Sequence, residues 1–214
     1  MTTVITGASR GIGLALAAQY KAAGEEVIGT ARGAGVEAVL DVTDPASHAA
    51  FAATLEGRAV DLLICNAGVY LDKGDDLQTG FGSDLWAQSF ATNVTGVFLT
   101  VQSLLDNLRA AQGAKIAIIA SQMGSSTNAP GGSYIYRASK AAAINLGRNL
   151  AVDLKPDGIA VGIYHPGWVQ TDMGGASGDI TAQASAQGLA GRIDALNLDN
   201  TGAFETWDGR THPF

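Results

Sequence analysis

The 214 residues suit one α/β domain, large enough to bury most of the surface that its unfolded chain would expose, and a single domain over 1–214 is expected. Hydrophobic residues make up 47% and charged residues 15%, with 28 glycines, a balance that excludes a disordered chain and suits a sheet buried on both faces and joined by tight turns. A net charge of −7 argues against nucleic acid and anionic membrane as partners, so an anionic ligand would have to be met by local positive charge.

Short apolar runs recur at 3–6, 26–30, 36–40, 61–65, 115–120, 159–164 and 202–205, most of them separated by stretches with helical spacing. That alternation predicts a single-domain Rossmann fold: a doubly wound, mostly parallel sheet of seven strands with helices on both faces. Gly24 is expected to close the first helix, Asp44-Pro45 to open the next, and Ser133 to cap the helix that carries Tyr136. One long helix is expected over 84–111. The second-to-third strand connection, 31–36, is too short for a helix, so that edge of the sheet is expected to lack its cover. Cys65 lies in an apolar run and reads as a buried structural thiol. With the first strand starting at once and no apolar run of membrane length, a cytoplasmic protein is expected.

Thr6-Gly7-Ala8-Ser9-Arg10-Gly11-Ile12-Gly13 falls between a strand and an amphipathic helix. In that context the glycines let the backbone approach a pyrophosphate, whose charge meets the helix N-terminus. An NAD-dependent site usually carries an acid at the end of the second strand to bind the ribose 2′-hydroxyl. Here the sequence reads Thr30-Ala31-Arg32, with no carboxylate between Glu26 and Glu37. Arg32 and Arg10 are placed to meet a 2′-phosphate, which favours NADP(H) and leaves NAD(H) open; the alternative is that both arginines are solvated surface charges.

Tyr136 and Lys140, four residues apart on a predicted helix, share one face. A nearby ammonium, with the positive nicotinamide of an oxidised cofactor, would lower the phenol's ordinary pKa of about 10 and suit it to acid/base work on a carbonyl or alcohol oxygen.

Taken with Asp41-Val42, Asn66-Ala67-Gly68, Asn93-Val94-x-Gly96, Ser121 and Pro166-Gly167, in this order, the chain resembles the short-chain dehydrogenase/reductase superfamily over nearly its whole length. The stretches around Ser121, Tyr136 and Pro166 are similar to the sniffer and C-factor-like branch of carbonyl reductases. The resemblance implies an oxidoreductase with Ser121, Tyr136, Lys140 and Asn93 as its catalytic set. Asp41 and Val42 would line the adenine pocket, and Asn66, Ala67 and Gly68 would lie under the adenosine ribose. Gly7, Ser9, Gly11, Ile12 and Gly13 would form the phosphate loop, Lys140 would also bind the nicotinamide ribose, and Asn93 would hold a water. Val169 and Thr171, after Pro166-Gly167, would meet the carboxamide. A homodimer or homotetramer formed through helices near 86–111 and 136–155 is also implied.

The Ser121 to Tyr136 separation, fifteen residues, exceeds the common family pattern and leaves Ser125 as a lesser claimant. Tyr134 has Ala138 where a lysine would be needed and reads as packing or substrate wall. His165 has no neighbouring metal ligand in sequence, and no metal is expected. Trp168 and Met173 read as substrate contacts or core, and Asp72, Asp75 and Asp76 as a solvated loop. The short glycine-rich stretch 174–180 stands where the family places a lid, which suggests an open pocket and broad carbonyl specificity. Two function classes remain: a hydride-transferring enzyme, and a dinucleotide-binding regulatory or signalling protein with little turnover. An epimerase or dehydratase is disfavoured because no extra substrate domain is seen.

Overall fold

The computed structural model describes residues 1–33 and 35–214. Seven strands form one sheet: β1 (Thr2–Thr6), β2 (Glu26–Ala31), β3 (Ala38–Val39), β4 (Leu62–Cys65), β5 (Lys115–Ile119), β6 (Ala160–His165) and β7 (Phe204–Thr206). Their order is β3-β2-β1-β4-β5-β6-β7, and every pair is parallel. All four residues of β4 and all six of β6 are buried, which is why these strands read as continuous apolar runs.

Alternate residues serve opposite faces. Val4, Leu63, Ile116 and Ile118 join one core, with Phe51, Leu104 and Leu150. Ile5, Ile64, Ala117 and Ile119 join the other, with Leu16, Leu189 and Ile193. The helices are α1 (Gly11–Ala22), α2 (Pro45–Ala53), α3 (Ser83–Phe90), α4 (Gly96–Ser103), α5 (Leu105–Ala110), α6 (Tyr134–Leu154) and α7 (Ala182–Asp194). Helices α1 and α7 pack together over the second core, while α2, α4 and α6 contribute to the first.

The Asp44 carboxylate caps α2 by accepting from Ala46 N at 2.9 Å, and Gly24 follows α1 in the left-handed conformation (φ +82°). Three expectations are corrected. The helix expected over 84–111 is broken: a π turn occupies Ala91–Thr95, and the chain kinks at Leu104. The third strand shrinks to two residues, because the chain leaves β2 at Ala31 and must return at once; residue 34 of this connection lies outside the described residues. Among the described residues no helix covers β2 there, and the partly exposed Glu37 carboxylate instead accepts from Gly29 N at 3.0 Å and pairs with Lys21 of α1. Finally, Ser133 does not cap α6. It sits in the left-handed region (φ 47°), and its side chain makes no bond to the helix amides.

Candidate active site

The sheet order reverses at β1, with β2 on one side and β4 on the other, so the loops after these strands part and leave a crevice at their C-terminal ends. A cleft of about 1170 Å³ opens there, running from the β1–α1 loop past Asn66–Gly68 to Tyr136 and Lys140.

Gly7 and Gly11 both take positive φ, +68° and +56°, conformations that a side chain would strain. Helix α1 starts at Gly11 without a side-chain cap, so its first-turn amides are left for an anion. Gly13 is tucked so closely beneath the loop that a Cβ there would lie 2.3 Å from the Gly7 carbonyl oxygen. The Asn66 side chain braces the same turn by donating to the carbonyls of Thr6 at 3.0 Å and Gly7 at 3.1 Å. Thr6 Oγ1 in turn accepts from the amides of Asn66 and Ala67. The β1 and β4 loops are therefore locked to each other.

At the far end of the cleft lie Arg32, Asp41 and Val42. The amide and hydroxyl of Thr43 bind the Asp41 carboxylate and hold its pKa below the ordinary value, with the Arg32 charge adding to the effect. Arg10 instead reaches across the cleft mouth to Asp172, 2.7 Å away, with both side chains about three-quarters exposed (75% and 77%). An ion pair so exposed is weak and readily exchanged for another anion.

Toward the centre, Ser121 follows β5 and Tyr136 sits in the first turn of α6, both 7% exposed. One turn on, Lys140 Nζ lies 5.8 Å from the Tyr136 ring centroid and donates to the Ile119 carbonyl at 2.9 Å. Asn93, in the π turn, is buried: its Oδ1 accepts from Val69 N at 2.8 Å and its Nδ2 donates to Val69 O and Ser139 Oγ, both at 2.9 Å. A Cβ built on Gly68 would touch both Asn93 Oδ1 at 3.2 Å and Lys140 Nζ at 3.5 Å, so the two side chains converge on the same short turn. Burial pushes the Tyr136 phenol up to about 12, with the nearby Ser121 hydroxyl acting to lower it; Ser121 Oγ itself accepts from Met123 N at 3.1 Å. The lowering expected from Lys140 is not found: burial raises the phenol, and the neighbouring Tyr70 and Asp72 raise it further, while burial brings Lys140 down to about 8.

Residues 1–182 match the family model for short chain dehydrogenase. The chain belongs to the short-chain dehydrogenase family. It is 37% identical to the C-signal of Myxococcus xanthus over 170 residues, 77% of this chain and 99% of that protein. Among solved structures, NADPH-bound carbonyl reductase from chicken fatty liver is 29% identical and superposes with a TM-score of 0.91, covering 100% of this chain and 98% of its own. The carbonyl reductase Sniffer of D. melanogaster is 26% identical with a TM-score of 0.92, covering 100% and 99%. The protein is thus a member of an oxidoreductase family with carbonyl reductases among its structural neighbours.

In this short-chain dehydrogenase the long Ser121–Tyr136 interval is taken up by a 3-10 turn at Gln122–Gly124 and by Gly131 and Gly132, both with positive φ, so the extra residues do not separate the two side chains. Ser125 Oγ accepts from Asn128 N at 3.2 Å and serves that turn. Gly7, Ser9, Arg10, Gly11, Ile12, Ala67, Gly68, Pro166 and Thr171 all line the cleft. Gly167 and Val169 act differently: Gly167 packs against Ile180 and Trp207, and Val169 is buried and bridges to Ile180, which ties the loop after β6 down.

Met173 lines the cleft, while Trp168 is 46% exposed and donates from Nε1 to the Gly174 carbonyl. Tyr134 packs edge-on against Phe81. His165 does have a neighbour that sequence distance concealed, His212, at 6.1 Å between ring centroids; burial brings the His165 pKa down to about 4.

Two residues escaped the sequence reading. Tyr70 stacks on the Tyr136 ring, centroids 4.3 Å apart and planes at 20°. Asp72, expected in a solvated loop, is fully buried and hydrogen-bonded to α6; Asp75 and Asp76 do turn their carboxylates to their own loop. No local pattern marks Tyr70 or Asp72, because both act on residues more than sixty positions away.

Proposed function

We propose that this short-chain dehydrogenase is an NADP(H)-dependent oxidoreductase that interconverts a carbonyl and an alcohol. The observation that carries the reading is that the cleft joins a glycine-rich anion cradle at one end to the buried Tyr136 and Lys140 at the other, with Ser121 near the phenol. A binding module has no need of a buried phenol beside an ammonium.

The residues fit a dinucleotide. A Cβ at Gly7 would meet Ala67 Cα at 2.9 Å, so only glycine leaves the loop close to the floor of the cleft, where free α1 amides can face a pyrophosphate. Arg10 and Arg32 would hold the 2′-phosphate, Asp41 and Val42 the adenine, Lys140 the nicotinamide ribose, and Val169 and Thr171 the carboxamide. When bound, the nicotinamide gives or takes the hydride. Ser121 would orient the substrate oxygen by hydrogen bonding. In reduction, Tyr136 passes its phenolic proton to that oxygen as the carbonyl becomes an alkoxide; in oxidation the phenolate removes the alcohol proton. Lys140, held near Gly68 and Asn93, would stabilise the phenolate and return a proton through a water held by Asn93.

Replacing Arg32 by Ala is expected to raise the NADPH Kd by about 10- to 100-fold, the effect of losing a charge-assisted hydrogen bond to phosphate, and to leave NADH affinity unchanged. Fluorescence titration with both cofactors measures this; equal effects on both would remove the 2′-phosphate role.

The second reading, a dinucleotide-binding regulatory protein, is favoured by the 37% identity to C-signal. Cofactor binding without turnover across a broad set of aldehydes and ketones would select it. Exposed Phe98 on α4 and Val152 on α6 lie on the helices through which a dimer or tetramer would form, and a mass of two or four chains by light scattering is expected.

A further inference from the structure

Asp72 lies in the connection between β4 and α3, yet its carboxylate is wholly buried against the start of α6. Its Oδ2 accepts from Ile135 N at 2.9 Å, and Tyr136 N donates to Oδ1 at 3.2 Å and Oδ2 at 3.4 Å. These are the second and third residues of α6, whose first-turn amides have no acceptor within the helix. The residue that should cap them, Ser133, is in the left-handed conformation, and its hydroxyl is engaged with the Tyr70 hydroxyl instead. A carboxylate 63 and 64 positions away therefore does the work of the missing N-cap and meets the positive end of a 21-residue helix.

The contact falls on the residue that the proposed chemistry turns on. Tyr136 is one of the two residues capped, and Tyr70, two positions before Asp72, stacks on the Tyr136 ring. The same loop thus holds Tyr136 by its backbone and by its ring. The next residue, Lys73, donates to the Met173 carbonyl at 3.3 Å and ties the loop to the segment over the cleft. A serine in ordinary cap geometry would satisfy only one of these amides, whereas the two oxygens of Asp72 hold both, including that of Tyr136.

We infer that Asp72 is a positioning residue for the reaction, fixing the first turn of α6 so that the Tyr136 hydroxyl is held against Ser121 and the substrate oxygen. This rests on the reading of Tyr136 as the acid/base group.

The test compares wild type, Asp72→Asn, Asp72→Ala and Tyr136→Phe. The measurements are kcat, the primary isotope effect with NADPH deuterated at the reactive carbon, NADPH affinity, and amide hydrogen exchange over 134–137. Asp72→Asn preserves volume and one carbonyl acceptor, so it keeps the comparison open if the alanine variant does not fold. Misplacing a reacting group by about 1 Å costs about 100-fold, so kcat is expected to fall by about 10- to 100-fold in the Asp72 variants. The isotope effect should rise as the chemical step becomes limiting, exchange at Ile135 and Tyr136 should quicken, and NADPH affinity should hold.

Wild-type kcat and isotope effect in Asp72→Asn and Asp72→Ala, or loss of kcat only in step with NADPH affinity, would overturn the positioning role and leave the proposed function standing. A wild-type protein with no turnover, or Tyr136→Phe with full turnover, would overturn the function and this inference together.

Discussion

Replacing Tyr136 by Phe is expected to lower kcat by about 100- to 10,000-fold, the range over which a positioned general acid or base contributes, with NADPH affinity retained. The substitution removes one hydroxyl and nothing else that the fold uses: the ring keeps its stack with Tyr70 and its place in the buried first turn of α6. Its pH dependence follows from the burial that pushes the phenol up to about 12. In reduction the phenol must carry its proton and Lys140 must replace it, so turnover should be level through neutral pH, begin to fall as Lys140 loses its proton and fall further as alkali removes that of the phenol. In oxidation the phenolate is needed, so turnover should rise over the same alkaline range. Lys140, brought down to about 8, loses its charge first as pH rises, and with it the stabilisation of the phenolate. Initial rates in both directions with the wild type and Tyr136→Phe measure this. A phenylalanine variant that keeps most of its turnover would remove the acid/base role and return the protein to the regulatory reading.

The second large effect is expected from Gly13→Ala. The added methyl would lie 2.3 Å from the Gly7 carbonyl oxygen and 2.5 Å from Asn66 Nδ2, and neither atom is a free side-chain end that can swing away. The Gly7 oxygen belongs to the turn that approaches the cofactor, and Asn66 Nδ2 already donates to it and to Thr6 O. Either α1 moves off the loop or the loop moves into the cleft. Overpacking of this kind costs about 1–3 kcal/mol, and the distorted cradle should raise the NADPH Kd by at least about tenfold. Gly191→Ala in α7 is the matching control, since nothing lies within 4 Å of its Cβ; helix propensity should make that variant about 0.5–1 kcal/mol more stable. Denaturant unfolding and cofactor titration report both effects. Gly13→Ala with wild-type stability and affinity would mean that the loop does not depend on this close approach.

Within the chain, local pattern carried a great deal. Continuous apolar runs such as Leu62–Cys65 could only be strands covered on both faces, and their alternation with helical stretches implied a parallel sheet, as found. The glycine loop and the Tyr136–Lys140 spacing were legible for the same reason: each is a relation among neighbours on one turn or one helix face, fixed by backbone geometry. Asp44-Pro45 opened its helix as expected, because a cap is a local hydrogen bond.

The failures have the opposite character. The break at Ala91–Thr95 places Asn93 against Val69 and Ser139, contacts 24 and 46 positions apart that no helical periodicity announces. The Tyr136 pKa could not be anticipated from a lysine one turn away, because its sign depends on how much water the assembled cleft excludes. Asp72 looked like one of three acids in a polar loop, and only the return of that loop to α6 made it a buried cap. By itself the sequence determined most of the strand and helix segments, the parallel character of their sheet and the residue types at the cleft, because each depends on spacing along one segment. The tertiary structure alone decided which side chains are dry, which charges find partners, and which loop holds Tyr136, because these depend on segments that meet only when the sheet has formed.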